Sequence, residues 1–319
     1  MPRVSVCIPT YNRIAFLPKV IECALNQTFV DLEVLVVDNA STDETAEIVA
    51  GYSDARVRYI RNDQNLGMVR NWNRCFELAR GEYVTIWSDD DQYDAQLVAE
   101  QSAVLAASPA VGLVYTAHQV RHVTGELVEV HPFSRSHQWS GTRELAYLSR
   151  RCYLYSPLLR MDVLRQGGGF NVQLGYAFDW ELWLRCAYQC DVAYIDRVLI
   201  TYQLHTQQMS NTSFTARTSL AAEWCRALES AYAHVPAHQR ELHAYKVRGY
   251  CEVAEIHLLQ AYWLLRQGRR SEARGQLAGA WYAIVHKAGW RFLPYVAQDT
   301  VQFIRKRRAG QTTTIFPEA

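Results

Sequence analysis

Over its first 110 residues the chain alternates short β-branched runs with segments of helical period, and this alternation restricts the fold more than any other feature. "VSVCIP" (4–9), "LEVLVVD" (32–38), "VRYI" (57–60) and "YVTIW" (83–87) read as buried strands. "AFLPKVIECALNQ", "TDETAEIVAGY", "GMVRNWNRCFELAR" and "AQLVAEQSAVLAAS" lie between and after them, each with apolar residues three and four apart. Ser41 or Thr42, followed by Asp43 and Glu44, is the expected cap of the second helix. Strand alternating with helix implies parallel pairing with crossover helices on both faces, hence an α/β fold with a Rossmann-like, mostly parallel sheet. Ligands of such sheets bind at the carboxyl ends of the strands. Asp38 and the run Asp89, Asp90, Asp91 fall there.

Beyond residue 111 the pattern loosens. "VGLVYTAHQVRHV" predicts a long strand, "TGEL" a turn, "YLYSPLLRMDVLRQGGGFN" a strand, a short helix and a glycine-rich turn. "FDWELWLRCAYQ" predicts a helix, and "DVAYIDRVLITYQLH" two extended runs. After Ser210 every segment has helical period, with Gly268 dividing the last two as a helix hairpin. The expected organisation is therefore an α/β domain over 1–210 and an all-helical C-terminal extension over 211–319.

The 319 residues carry a net charge of +1, with 49% hydrophobic and 20% charged residues. That balance gives no electrostatic case for nucleic acid as the main partner. No apolar stretch reaches the length of a membrane span. The opening "MPRVSVCIPT" runs into a strand pattern without the basic start and apolar core of a signal peptide. The eight cysteines form no CxxC pair, and Cys186 and Cys190, one helical turn apart, read as small core residues. A reduced, cytoplasmic protein is the expectation.

Three consecutive aspartates at a strand end repel one another. A bound divalent cation relieves that repulsion, and hard oxygen ligands suit Mg²⁺ or Mn²⁺. A solvated turn with helix-capping aspartates is the alternative that these residues alone leave open.

The surrounding motifs decide more. "IPTYN", "VVDNASTD", "NLG" and "GEY" precede the strand that ends in the triple aspartate, in that order. Together they resemble the family 2 glycosyltransferases of the GT-A fold, over about residues 3–210. Downstream, "GYAFDWELWLRCA" is similar to the family's Glu-Asp-Xaa-Asp-Leu-Trp-Leu-Arg segment. "LITYQLHTQQMS" is similar to its later Tyr-Arg-Xaa-His segment and the Met-Ser pair that follows. The resemblance implies a nucleotide-sugar donor, most simply a UDP-sugar, a saccharide or lipid-linked saccharide acceptor, and a role in surface polysaccharide or glycoconjugate assembly. It implies Asp91, Asp89 and His205 as metal ligands and Asp179 as the catalytic base. Pro9, Thr10, Tyr11, Asn12, Asp38, Asn65, Gly67, Asp89 and Asp90 would contact the donor.

The chemistry suits these assignments. A cation held between carboxylates and diphosphate stabilises charge on the leaving oxygen. Extended geometry through the run would put Asp89 and Asp91 on one side, with Asp90 between them. The Asp38 carboxylate can accept from the imide N–H of uracil or thymine or the ring N–H of guanine, and Tyr11 would lie against the base. Asp179 would take the proton of an acceptor hydroxyl, and direct displacement by that oxygen inverts the anomeric centre. Each has a plainer reading: Asp38 as a turn residue, Asp179 as a helix cap, His205 as a surface histidine, Trp180 and Trp183 as core. Two positions depart from the family: Phe178 replaces the usual Glu before the base, and Trp72 stands where many members have Arg, with Arg70 or Arg74 as substitutes for a phosphate contact.

Residues 289–310, "GWRFLPYVAQDTVQFIRKRRAG", mix aromatics with arginines. Trp290 to Val296 is expected to pack on the preceding hairpin, while the basic cluster is left open to anionic lipid, a weak peripheral contact at the inner face of the cell membrane at most. Two rival classes remain: a catalytically silent sugar-nucleotide binder, and a nucleotidyltransferase. The latter would need a glycine-rich triphosphate loop after the first strand, and "IPTYNR" contains no glycine.

Overall fold

The computed structural model describes residues 1–131, 137–139, 154–206 and 218–308. Two compact units emerge. Of the described residues, the first takes in 1–131, 137–139, 154–172 and 186–204, and the second 173–185, 205–206 and 218–308. The boundary expected near residue 210 and the Met-Ser pair at 209–210 lie outside the described residues.

In the first unit β1 (Val4–Thr10), β2 (Leu32–Asp38), β3 (Val57–Arg61) and β4 (Tyr83–Ile86) alternate with α1 (Leu17–Leu25), α2 (Thr45–Ala50) and α3 (Met68–Leu78). β5 (Gln92–Tyr93), α4 (Leu97–Ala107), β6 (Val111–His122), β7 (Leu127–His131), β8 (His137–Trp139), β9 (Leu158–Arg160) and α5 (Met161–Gly167) follow. β10 (Asp191–Leu204) closes the unit. Among the described residues the sheet runs β3-β2-β1-β4-β9-β6-β10-β5, with β7 on β6 and β8 on β10. β1 to β4 are parallel, as their crossover helices require. The short β9 is antiparallel to both β4 and β6 and joins this half to the parallel β6–β10 pair. β1 and β2 are buried along their whole length, as strands covered on both faces must be.

Register matters most at the carboxyl edge. Thr10 pairs with Asp38, and Asp38 with Arg61, so three polar residues stand in one row across β1, β2 and β3.

Local expectations fail in three places. β4 ends at Ile86 and a turn occupies Asp89 and Asp90, so the extended geometry does not persist through the aspartates. α2 starts at Thr45 without a side-chain cap, because Ser41 is held by other groups and Asp43 takes the Thr45 amide and hydroxyl. The two extended runs after 191 are a single strand, whose pairing with β6 shifts register between Ile195 and Ile200. Cys186 and Cys190 are packing residues: a Cβ on Gly112 of β6 would lie 2.6 Å from the Cys190 sulfur.

α6 (Phe178–Gln189) begins in the second unit and its last residues belong to the first. The second unit continues with α7 (Thr218–Tyr232), α8 (Arg240–Arg266) and α9 (Arg270–Trp281). Gly268, at φ 76°, turns α8 into α9, the hairpin expected from sequence. A π-helical stretch, Tyr282–Ala288, and a 3₁₀ turn, Trp290–Phe292, lead to α10 (Leu293–Arg308). Of the segment expected to pack on the hairpin, Val296 is buried but Trp290, Leu293 and Tyr295 are exposed. Among the α10 residues whose burial is described, Val296 and Thr300, one turn apart, are the buried ones, and the stripe carrying Leu293 faces out.

Candidate active site

At the carboxyl edge of β2, Asp38 is fully buried and both carboxylate oxygens are engaged. One accepts from the Ser41 amide (2.9 Å) and hydroxyl (2.5 Å); the other accepts from the Tyr59 hydroxyl (2.6 Å) and lies 3.5 Å from Arg61 Nε. Burial and the bond to Asp38 push the Tyr59 phenol well above its ordinary range. Arg61 also donates to the Ser41 carbonyl (3.0 Å). Contact between Asp38 and a base therefore requires one of these partners to give way. The turn after β1 is pinned to the turn after β2. The Asn12 amide donates to Ser41 Oγ (2.9 Å), and Asn12 Oδ1 accepts from the Thr42 amide (2.8 Å). Asn12 sits at φ 52°, a left-handed conformation that Asn tolerates better than most residues. Pro9 is inside β1, Thr10 is buried, and Tyr11 projects from this edge, 43% exposed.

A chain of asparagine amides ties the loop before α3 to the same edge. Asn71 donates to the Val37 carbonyl (3.0 Å), and Asn62 donates to Asn71 Oδ1 (2.7 Å) and Asn39 Oδ1 (3.3 Å). The Leu66 amide reaches Asn39 Oδ1 (2.8 Å), while Asn65 Oδ1 accepts from Asn39 (2.9 Å) and the Gly67 amide (2.8 Å). Gly67 stands at φ 79° and starts α3. Asn65 and Gly67 thus shape the loop.

The acidic loop is closed by aromatic rings at its two ends. Trp87 and Tyr93 stack with centroids 3.9 Å apart and planes 12° from parallel, and the Tyr93 hydroxyl donates to the Ser88 carbonyl (3.3 Å). The three carboxylates turn to different partners. Asp89 accepts from the Thr10 hydroxyl (2.7 Å); Asp90 lies 3.9 Å from Arg13 Nη1; Asp91, buried, accepts from the Gln203 amide of β10 (3.0 Å). Gln203 further donates from its side chain to the Asp90 carbonyl (2.6 Å) and accepts from Gln92 (2.7 Å). Burial, then the charge of Asp90, pushes Asp89 up to about 7. The same two causes raise Asp91 above the carboxylate range. Thr10 and Arg13 oppose the rise at Asp89 without cancelling it.

Among the described residues no three His, Cys, Asp or Glu side chains converge on one point. The donor set nonetheless fits Mg²⁺ or Mn²⁺, which take one or two protein carboxylates and fill the remaining positions with phosphate oxygens and water. Proton affinity raised by burial and like charge is what a cation would relieve.

Asp179 and His205 belong to the second unit. Asp179 lies in the first turn of α6, where one carboxylate oxygen accepts the Trp180 amide (2.7 Å). Burial nevertheless pushes it up to about 6, against that bond. α7 holds the approach to it. Glu223 accepts from the Gly175 and Tyr176 amides (3.1 and 3.4 Å) just before α6. Glu181, two residues on, accepts from the buried Arg185 (2.8 and 2.7 Å) and from the half-buried Ser230 hydroxyl (2.6 Å). Phe178, Trp180 and Trp183 are core residues. In the first unit Trp72 meets Phe170 edge-on (5.6 Å), Arg74 pairs with Glu77 (2.8 Å) and Arg70 is exposed.

Sequence reading passed over Arg13, Asn39, Tyr59, Arg61 and Gln203. The density of asparagine in "RNDQNLGMVRNWNR" was a usable signal for the amide chain, and Gln203 stands at the arginine of the Tyr-Arg-Xaa-His segment.

The family model described as Glycosyl transferase family 2 matches residues 5–167, just over half of the chain. A GalNAc(5)-diNAcBac-PP-undecaprenol beta-1,3-glucosyltransferase of Campylobacter jejuni is 40% identical over 95 residues, 29% of this chain and 31% of that protein. Staphylococcus aureus TarS 1–349 in complex with UDP-GlcNAc superposes with a TM-score of 0.57 at 16% identity, covering 88% of this chain and 91% of that one. The mannosyltransferase PcManGT of Pyrobaculum calidifontis, in complex with GDP-Man and Mn²⁺, gives 0.60 at 19% identity, covering 90% and 88%. At these identities the two structures establish a shared fold.

Proposed function

The chain belongs to glycosyl transferase family 2, and from that premise we propose that it moves a sugar from a nucleoside diphosphate donor to an acceptor hydroxyl, with inversion and with a divalent cation. The observation that carries this reading is the acidic loop: three carboxylates held at the carboxyl edge of the sheet, two of them with raised proton affinity. Asp89 and Asp91 would hold Mn²⁺ or Mg²⁺, with His205 as the further ligand that the family resemblance implies, and the cation would supply charge neutralisation to the departing diphosphate. Thr10 orients Asp89, and Arg13 keeps a positive charge beside Asp90. Tyr11 stacks on the base, and Asn12 with Asn65 and Gly67 holds the pocket walls. Asp38 fixes Ser41, Tyr59 and Arg61 around the base and completes recognition of an imide or ring N–H when one of them yields. Asp179 accepts the acceptor's proton; one carboxylate acting in direct displacement yields the inverted product.

The donor is uridine-linked on this reading, since an imide complements Asp38, and the acceptor is a saccharide or lipid-linked saccharide. The Campylobacter relative's name, which contains an undecaprenol diphosphate, supports the lipid-linked choice. On this reading the catalytic residues come from 1–210, and 211–319 is a helical extension. Thermal melting with UDP-GlcNAc and with GDP-mannose, each with Mn²⁺ or with EDTA, tests the reading. A donor that binds the native state raises the melting temperature by mass action. A rise with UDP-GlcNAc and Mn²⁺ that EDTA abolishes is expected. Equal rises with and without the cation reject the metal, and a rise with GDP-mannose alone rejects uridine.

A further inference from the structure

The second unit carries a surface that sugar transfer leaves unused. From Leu265 to Arg308 the sequence has ten Lys and Arg against two acidic residues, Glu272 and Asp299, while the rest of the chain has 23 basic against 30 acidic. A nearly neutral total therefore conceals a strongly basic end. Such charge asymmetry points to an anionic partner, membrane or nucleic acid.

The side chains on this end favour the membrane. α9 exposes Arg270, Arg274, Leu277 and Trp281, whose spacing of four, three and four is one helical stripe. Trp281, 52% exposed, meets Trp290, 56% exposed, edge to face with centroids 4.9 Å apart. Arg291 follows and is exposed, its guanidinium 5.0 Å from the Phe292 ring centre. Along α10, Leu293, Ala297, Val301 and Arg305 recur every four residues and all are exposed. This helix thus turns an apolar stripe ending in arginine toward solvent.

We propose that this α9–α10 face binds the surface of an anionic phospholipid bilayer, with Trp281 and Trp290 at the headgroup–acyl boundary and the arginines on lipid phosphates. Tryptophan beside exposed leucine and valine, edged by arginine, is the composition of an interfacial segment. A second copy is a poorer occupant, because a twofold contact would set this basic face against itself. Nucleic acid would leave Leu277, Leu293 and Val301 without partners. Among the described residues no helix is long and apolar enough to cross a membrane, so the contact is peripheral. The inference stands apart from the assignment of donor, metal and base.

Flotation of the full chain with phosphatidylcholine vesicles, and with vesicles containing phosphatidylglycerol, tests it. Wild type should float with the anionic vesicles. Trp281→Ser/Trp290→Ser and, separately, Arg291→Glu/Arg305→Glu should each lower the partition coefficient by about tenfold or more. The melting temperature and the donor-induced shift should stay those of wild type. Brominated lipid should quench tryptophan fluorescence in wild type more than in the double tryptophan variant. Undiminished flotation of the double tryptophan variant overturns the proposal. Sedimentation as a dimer without flotation overturns it in favour of a second copy, and retention on RNA without flotation in favour of nucleic acid. Should the tryptophan variant melt early, the arginine variant decides: flotation equal to wild type refutes the proposal.

Discussion

Replacing Asp179 by Asn should stabilise the protein while abolishing transfer, and the two effects should have different pH dependence. Burial lifts this carboxyl from 3.8 to about 6. At about 1.4 kcal/mol per pH unit, that rise is worth about 3 kcal/mol. Asp179 is only half-buried, so solvent screening brings the expected figure to about 1–2 kcal/mol. The sign follows from linkage. Below about pH 4 the side chain is protonated in both the folded and the unfolded chain and costs nothing. As pH rises the unfolded chain ionises first, so stability falls until the folded group titrates near 6 and the full cost is in place. Asn does not titrate. The advantage of Asp179→Asn should therefore grow from near zero at about pH 4 to about 1–2 kcal/mol above about pH 7.

Urea unfolding of both proteins across that range measures the difference directly. Activity should move the other way. In wild type, transfer should fall about tenfold per unit below about pH 6, because a general base acts only when deprotonated, and Asp179→Asn should lose about a hundredfold or more throughout. A stability difference that stays constant with pH refutes the burial argument, since it would mean the carboxylate is solvated when charged. Transfer by Asp179→Asn at the wild-type rate refutes the base assignment even if the stability prediction succeeds.

Glu181→Ala should destabilise the protein by about 1–3 kcal/mol in urea unfolding, because it removes the carboxylate that accepts two bonds from the buried Arg185 guanidinium; a loss under about 0.5 kcal/mol would show the pair to be solvated. Gln203→Ala deprives the Asp90 carbonyl and the Gln92 amide of partners, at about 1–3 kcal/mol for each group left buried. It should also weaken Mn²⁺-dependent donor binding in titration calorimetry, and wild-type affinity would show that the acidic loop holds its shape unaided.

What the sequence revealed follows from the range of the forces involved. Strand and helix periodicity is local, so β1 to β4, α3, α6 and the α8–α9 hairpin were all readable. The carboxyl-edge location of Asp38 and the aspartates followed from it. The cap of α2 was misread because Ser41, a good cap by composition, is recruited by Asp38 and Asn12. The pairing with β1 continues to Trp87, whose amide donates to the Cys7 carbonyl (2.8 Å), but the extended geometry expected through the aspartates fails because a turn occupies Asp89 and Asp90. Tyr59, Arg61 and Gln203 could not be placed by any local rule. They reach the site through strand register, and register is set by pairings dozens of residues apart.

The acidic loop shows how like charges can be held at a strand end. Among the described residues no basic side chain pairs closely with Asp89 or Asp91; a hydroxyl and a backbone amide satisfy them instead. Neutral donors satisfy geometry without offsetting burial or the charge of Asp90, and proton affinity rises, first from burial and then from that charge. For Asp89 the sign is that of Asp179: the stability contribution is present below about pH 4 and lost as pH rises through about 7. The loop therefore becomes less stable as rising pH strips the protons from Asp89 and Asp91, while Arg13 lies beside Asp90. Protons relieve this cost, and a divalent cation would do the same. If the loop takes a divalent cation, as proposed above, the cost of charging Asp89 and Asp91 would be recovered on its uptake, and the closure of the loop by Trp87, Tyr93 and Gln203 would serve binding as well as folding.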